Sequence, residues 1–457
     1  MPINSTCLVG LHKINTMFLL NAAGTVSRLK GEETLNFLII VSIMLILARL
    51  LGEICRKYKQ PLVIGEIMAG IVMGPSLFGA FFPDAFNEIF TAQPRAYAAY
   101  DGLCNIGIIL FMFVAGFEVD LKQIRKQGKQ AASISFMGIA FPFALGFATV
   151  WFFHDYIFSV PSEDKLIPAM FFGTALSITA LSIIAKLLMD IGILKTKIGN
   201  LVLTAAMVDD FLGWILFSII TGLLGKEGGE SSSWSSVIGV FLFVVFMLTI
   251  GRWLVDKVLL VAEKFLTLGG VLTVAVAFCL LGSVVTEYLG VRGIFGAFLM
   301  GVAIGDSKYF SERHQHILHQ FVLNIIAPLF FASVGLRINF FENFNIQIIA
   351  IILFISCIAK IIGAGLGSRM SGMTKNESIA VAFGMNARGS QEIVLGLLAL
   401  QAGIIDEPIF VGFVVMTIVT ILISGPLMKY YYKKSELDNK KDLAAATKDR
   451  KSTRLNS

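Results

Sequence analysis

Two adjacent carboxylates, Asp209 and Asp210, interrupt an otherwise apolar run, LVLTAAMVDDFLGWILFSII, at 201–220. The run is long enough to cross hydrocarbon, which takes about 20 helical residues at 1.5 Å each. An acid at that depth costs a few kcal/mol or more and is normally retained for ion or proton handling. Consecutive helical residues point roughly 100° apart, so the two carboxylates address different neighbours. One can face an ion path while the other faces a partner. The chain supplies a cation of the right kind: Lys360, in SCIAKIIGAGLG, lies far from either end of its own apolar run. A lysine at that depth must pair or lose its proton.

Two other apolar runs carry polar residues at their centres. FFGTALSITALSIIAKLL, from Phe171, holds Thr174, Ser177 and Thr179; AVAFGMNARGSQEIVLGLL, from Ala380, holds Asn386, Arg388, Gly389, Ser390, Gln391 and Glu392. Such stretches suggest helices that unwind at mid-membrane and expose backbone groups to a cavity instead of lipid. Interruptions at matching places in two halves of a chain point to a transporter's midplane site. The hydroxyls serve ordinary bonds between helices equally well. Arg388 and Glu392, one turn apart, can form an ion pair or compensate charge at the site.

The elements that must position these groups are membrane helices. Of 457 residues, 56% are hydrophobic and 15% charged. Apolar stretches recur from Leu35 to Tyr430 without the period-two alternation of barrel strands, so an all-α polytopic membrane protein is expected. Breaking the runs at their polar and Gly/Pro joints gives about thirteen spans. They begin near Leu35, Pro61, Leu103, Gln130, Leu166, Ile198, Val237, Leu268, Gly290, Ile317, Asn345, Glu377 and Glu407. The two interrupted runs are then the fifth and twelfth. Alternate loops are rich in Lys and Arg, as at Arg56, Lys57 and Lys59, or at Lys122, Arg125, Lys126 and Lys129; the other loops are sparse. With the basic set inside, the N-terminus lies outside and the C-terminus in the cytoplasm of a cell-membrane protein. A 1–34 extracytoplasmic segment, a 35–430 transmembrane domain and a 431–457 cytoplasmic tail follow.

The net charge of +6 sits in short loops and marks orientation; it gives no sign of a nucleic-acid partner. The five cysteines are scattered singly and read as packing thiols, so neither a disulfide framework nor a zinc site is expected, nor any cofactor. Glu66 lies within the second span, and a structural hydrogen bond is the simpler role for it. Glu118 and Asp120 end a span and read as solvated, as do His314, His316 and His319 at a helix start. The closing DRKSTRLNS, from Asp449, reads as a translated sequencing adapter, so a natural chain is expected to continue past Lys448 with other residues, a cytoplasmic regulatory domain among them.

The stretch SITALSIIAKLLMDIGILKTKIGNLVLTAAMVDDFLGWIL resembles the core of the monovalent cation/proton antiporter superfamily, which includes NhaA-type and Kef-type transporters and the plant cation/proton exchangers. Further matching pieces occur in order: QPLVIGEIMAGIVMGPS, NIGIILFMFVAGFEVD, GIFGAFLMGVAIG, PLFFASVGLRI, AKIIGAGLG and MNARGSQEIVL. The resemblance covers roughly Leu35 to Met428. It implies an NhaA-like fold of two inverted-topology repeats with crossed broken helices, and a homodimer. It also implies that Asp210 binds the ion or proton, that Asp209 stands where electrogenic members keep an acid, and that Lys360 pairs with these acids. Thr179 stands where NhaA itself has an acid in its first broken helix, which leaves the choice of cation open.

Both lines converge on a secondary transporter in which Na⁺ or a proton competes for Asp210, with Asp209, Thr179 and Ser177 completing the ion site. A Kef-like K⁺/H⁺ antiporter or ligand-gated K⁺ efflux system is the nearest alternative. An intramembrane aspartyl protease needs two aspartates that meet from separate helices, which adjacent residues on one helix do not do. No enzyme activity is expected.

Overall fold

The computed structural model describes residues 29–58, 60, 62–117, 119, 121–158, 165–193, 196–223, 233–289 and 292–455. Most of the expected N-terminal segment, together with Glu118, Asp120 and the thiol of Cys7, lies outside them. The described part is helical throughout. In chain order the helices are α1 (Gly31–Lys57), α2 (Leu62–Met73), α3 (Pro94–Phe117), α4 (Leu121–Ile157), α5 (Leu166–Ser177), α6 (Leu181–Ile191), α7 (Lys197–Leu223), α8 (Ser233–Phe246) and α9 (Arg252–Phe265). There follow α10 (Leu268–Tyr288), α11 (Gly293–Gly305), α12 (Glu312–Phe321), α13 (Ala327–Arg337), α14 (Ile346–Met370), α15 (Lys375–Met385), α16 (Ser390–Gln401) and α17 (Glu407–Leu455). Among the described residues nine helical stretches are long and apolar enough to cross a membrane unaided. The expected fifth and twelfth spans are each two short helices, α5 with α6 and α15 with α16, separated at 178–180 and 386–389.

Packing divides the helices into two groups. In one, α4 lies along α5, α7 and α14, while α17 lies along α14, α15 and α16. In the other, α1 packs on α2, α2 on α13, and α3 on α11, which also packs on α10. A π-helical turn at Met247–Gly251 joins α8, which leans on α7, to α9, which leans on α10, so this segment links the groups. Phe211 and Trp214 of α7 meet Phe298 of α11 across the divide.

Within each group, helices touch where side chains vanish. A Cβ on Gly301 would stand 2.1 Å from the Phe113 carbonyl oxygen, and one on Gly70 1.9 Å from that of Ala332. In lipid, where apolar burial drives association weakly, such close approach is the means by which helices gain van der Waals contact. Gly301→Ala is expected to destabilise the protein by about 1–3 kcal/mol, because the obstacle is backbone and cannot rotate away. A thermal melt in detergent checks this; an unchanged midpoint would contradict so tight an α3–α11 contact.

His314 corrects one expectation. It is buried on α12, stacked on Phe310, and its Nδ1 lies 3.2 Å from the Ser311 backbone N–H and 2.7 Å from the Ser311 hydroxyl. The ring is thus part of a helix cap, which the loop-like sequence around it did not reveal. Glu66 lies in α2 and is buried. The four described cysteines are free thiols.

Candidate functional site

Neither break contains proline, so what opens the helices must come from their surroundings. At the first break, Arg388 enters from the second: its Nη1 donates to the carbonyls of Ala175 (3.0 Å) and Ile178 (3.3 Å), and its Nη2 to that of Leu176 (2.7 Å). Those oxygens would otherwise accept from the next helical turn. The guanidinium both satisfies them and sets positive charge at the C-terminal end of α5, where the helix dipole favours it. At the second break, Gly389 is extended (φ −160°), and a Cβ there would lie 2.6 Å from that of Ala180. Only glycine lets the two breaks touch, and Ala180 N–H donates to Ala387 O at 3.3 Å. The carboxylate of Glu392 then accepts from Gly389 N–H at 2.7 Å, capping α16.

The hydrogen bonds of Arg388 and Glu392 thus go to backbone groups instead of to each other, while the two charges still act on one another at longer range. Each compensates backbone charge, one at a helix C-terminal end and the other at a helix N-terminus, because unwinding the chain between them exposes those groups.

Beside the meeting point sit the paired acids of α7. Lys360 Nζ lies 2.7 Å from Asp209 Oδ2, and both side chains are 0% exposed. The ammonium also donates to Gly138 O at 2.9 Å and, more closely still, to Ser177 O. Its three N–H groups are thus all engaged. Glycines of α14 make this reach possible: Cβ atoms on Gly363 and Gly367 would each come within 2.5 Å of α4 carbonyl oxygens, those of Met137 and Ser133. The Thr179 hydroxyl lies 3.0 Å from Asp209 Oδ2 and 3.1 Å from Met385 O, within reach of either acceptor.

Asp210 turns elsewhere. Its Oδ2 accepts from Gln391 Nε2 at 3.2 Å, and the residue is only 4% exposed. Adjacent acids thus have separate neighbours, as their angular separation requires: a lysine for Asp209 and an amide for Asp210.

Ser177 departs from its expected part. Its hydroxyl lies within donating reach of Gly173 O (2.7 Å) and Ile139 O (3.0 Å), and what it turns toward Lys360 is its main-chain oxygen. Gly138 and Gln391 are neighbours that sequence reasoning did not assign. A carbonyl ligand leaves no side-chain signature, which hides Gly138; Gln391 stood among the polar residues of the twelfth span with no partner to reveal its direction. Among the described residues, several buried oxygens around the breaks accept no hydrogen bond: Asp209 Oδ1, Asn386 Oδ1, Gln391 Oε1 and Glu392 Oε1. Hard monovalent cations bind such oxygens.

Residues 40–434 match the family described as sodium/hydrogen exchanger, transmembrane. The chain is 34% identical over 404 residues to the Na⁺/H⁺ antiporter NhaS4 of Synechocystis, covering 86% of this chain and 97% of that one. It is 33% identical over 418 residues to cation/H⁺ antiporter 17 of Arabidopsis thaliana, covering 90% of this chain and 50% of that longer protein. In fold it is similar to the sodium proton antiporter MjNhaP1 of Methanocaldococcus jannaschii, with a TM-score of 0.61 at 19% identity, covering 88% of this chain and 97% of that one. Two broken helices held against each other by a buried arginine, with an acid pair and a lysine beside them, thus belong to a multi-pass membrane protein of the sodium/hydrogen exchanger family, whose members exchange cations for protons.

Proposed function

We propose that this antiporter exchanges Na⁺ for protons by alternating access, with Asp210 as the group for which the two substrates compete. The observation that carries the reading is the buried Lys360–Asp209 pair set where the two helix breaks meet, with Asp210 held apart from it. A proton and a cation both need the carboxylate's lone pairs, so occupancy by one excludes the other. Asp209, the Thr179 hydroxyl and unwound carbonyls complete the cation's shell. Lys360 holds Asp209 while the site is empty and yields when a cation arrives. The three ionisable groups then titrate as a set, each altering the others. An empty, fully charged site is barred from crossing by desolvation, and that bar couples the two flows.

The helix group of α4–α7 and α14–α17 carries every one of these residues, and is the part that would move against the α1–α3 and α10–α13 group. Thirteen crossings with the C-terminus inside, two inverted repeats and a homodimer complete the proposed arrangement. Na⁺ as substrate is supported by the names of several relatives, including Na⁺/H⁺ antiporters of Synechocystis and Enterococcus hirae. Proteoliposomes carrying a pH-sensitive dye and an outward proton gradient test it. Added Na⁺ or Li⁺ is expected to dissipate the gradient at lower concentration than K⁺; a response to K⁺ alone overturns the sodium assignment.

A further inference from the structure

Gln391 stands at the start of α16, 3% exposed, with its amide nitrogen 3.2 Å from Asp210 Oδ2 and its amide oxygen without a hydrogen bond. Burying an amide oxygen with no donor is unfavourable, and burial of this kind calls for a reason. The surroundings supply the nitrogen's: an ionised carboxylate accepts and cannot donate, so the amide must present N–H to Asp210. Nothing equivalent engages the oxygen. Ser390 precedes it on the chain and Glu392 follows, but Glu392 Oε2 is committed to Gly389 N–H.

An amide offers a donor and an acceptor at opposite ends of one rotatable group, which neither a carboxylate nor an ammonium does. Each state of the transport site asks for one of them. When Asp210 is empty and ionised, the N–H stabilises it. When Asp210 carries a proton, its O–H can donate to the amide oxygen. When Asp210 carries a metal ion, the same oxygen can join the ion's shell. A half-turn about the terminal torsion, a broad and soft one, exchanges the two ends.

We infer that Gln391 is a substrate-binding side chain of the exchange site, whose amide donates to the empty Asp210 carboxylate and turns to give its oxygen to the bound cation or proton. The inference rests on Asp210 being the exchange site and adds to it a neutral oxygen ligand that takes part in ranking the monovalent cations. Lys360 cannot fill this role, since an ammonium has no acceptor. The Thr179 hydroxyl, which joins the cation's shell from the other side, rests against Asp209 Oδ2 and Met385 O and leaves Asp210 to the amide.

The test uses the full chain in proteoliposomes, with Na⁺, Li⁺ and K⁺ as probes and Asp210→Asn as reference. Gln391→Leu removes both ends of the amide at similar volume; the apparent KM for Na⁺ is expected to rise by about tenfold or more, the effect of losing one charge-assisted contact, with a smaller change in kcat. Gln391→Glu keeps an oxygen of the same reach and loses the donor. It is expected to hold the Na⁺ KM within about threefold of wild type while the pH profile of exchange moves to higher pH, because the empty carboxylate has lost its N–H and gained a like-charged neighbour. Should Gln391→Leu fail to reach the membrane, Gln391→Glu decides alone through its pH profile. Wild-type KM, cation order and pH profile in the variants, or a fall in kcat with none of these moved, overturns the role of Gln391 while leaving the acid assignment intact. Activity persisting in Asp210→Asn strikes instead at the site on which the inference stands.

Discussion

Asp210→Asn is expected to abolish cation-driven proton movement in everted vesicles, to the background of vesicles lacking the protein, while yield and melting behaviour stay near wild type. Asparagine matches the aspartate in shape and can still bond the Gln391 amide, so the fold loses little. Transport loses its site, because an amide neither takes up a proton near neutral pH nor balances the charge of a cation held away from water. Bringing an uncompensated monovalent ion into such a place costs several kcal/mol, and each 1.4 kcal/mol is about tenfold, so a decline of a hundredfold or more follows. Residual exchange at the wild-type rate would remove Asp210 from the mechanism.

Lys360→Ala is expected to act differently, on stability as well as on charge movement. It leaves Asp209 buried with its strongest partner gone, together with the carbonyls of Gly138 and Ser177 that the ammonium served. Breaking one side of a buried pair typically costs about 3–5 kcal/mol, chiefly through the charge left behind. The melting temperature should therefore fall, and Asp209→Asn introduced into the same chain should restore part of it by removing that stranded charge. In proteoliposomes under imposed diffusion potentials, the voltage dependence of exchange should change along with the pH profile. A variant with wild-type stability and voltage dependence would show that the lysine plays no part in the pair's energetics.

The residues that bear charge were legible because lipid makes them conspicuous. Asp209, Asp210 and Lys360 stood out in runs where nothing else is charged, and a similar contrast marked Thr179 and the segment from Asn386 to Glu392. The helical character of the chain was readable for the same reason, since apolar length dictates it. Direction was the part that sequence could not convey. Helical spacing placed Arg388 and Glu392 on one face, yet the chain unwinds between Met385 and Ser390, so the spacing rule had no helix to act on. Ser177 was chosen for its hydroxyl, whereas helix α5 turns that group back onto its own preceding turn and offers the carbonyl instead. Contacts made through main-chain oxygen, as at Gly138, depend on how closely two helices approach. Glycines permit that approach without announcing which partner it serves.

The guanidinium stitched across three carbonyls, two at the end of α5 and one in the break beyond it, divides permanent charge from exchangeable charge. Arginine keeps its proton at any pH a cell meets, whereas carboxylates and amines surrender or gain theirs. The crossover is therefore fastened by a rivet indifferent to the chemical currency being traded beside it. Under the exchange proposed above, a change in pH or in the cation at the acid pair would leave the joint that shapes the site unaltered.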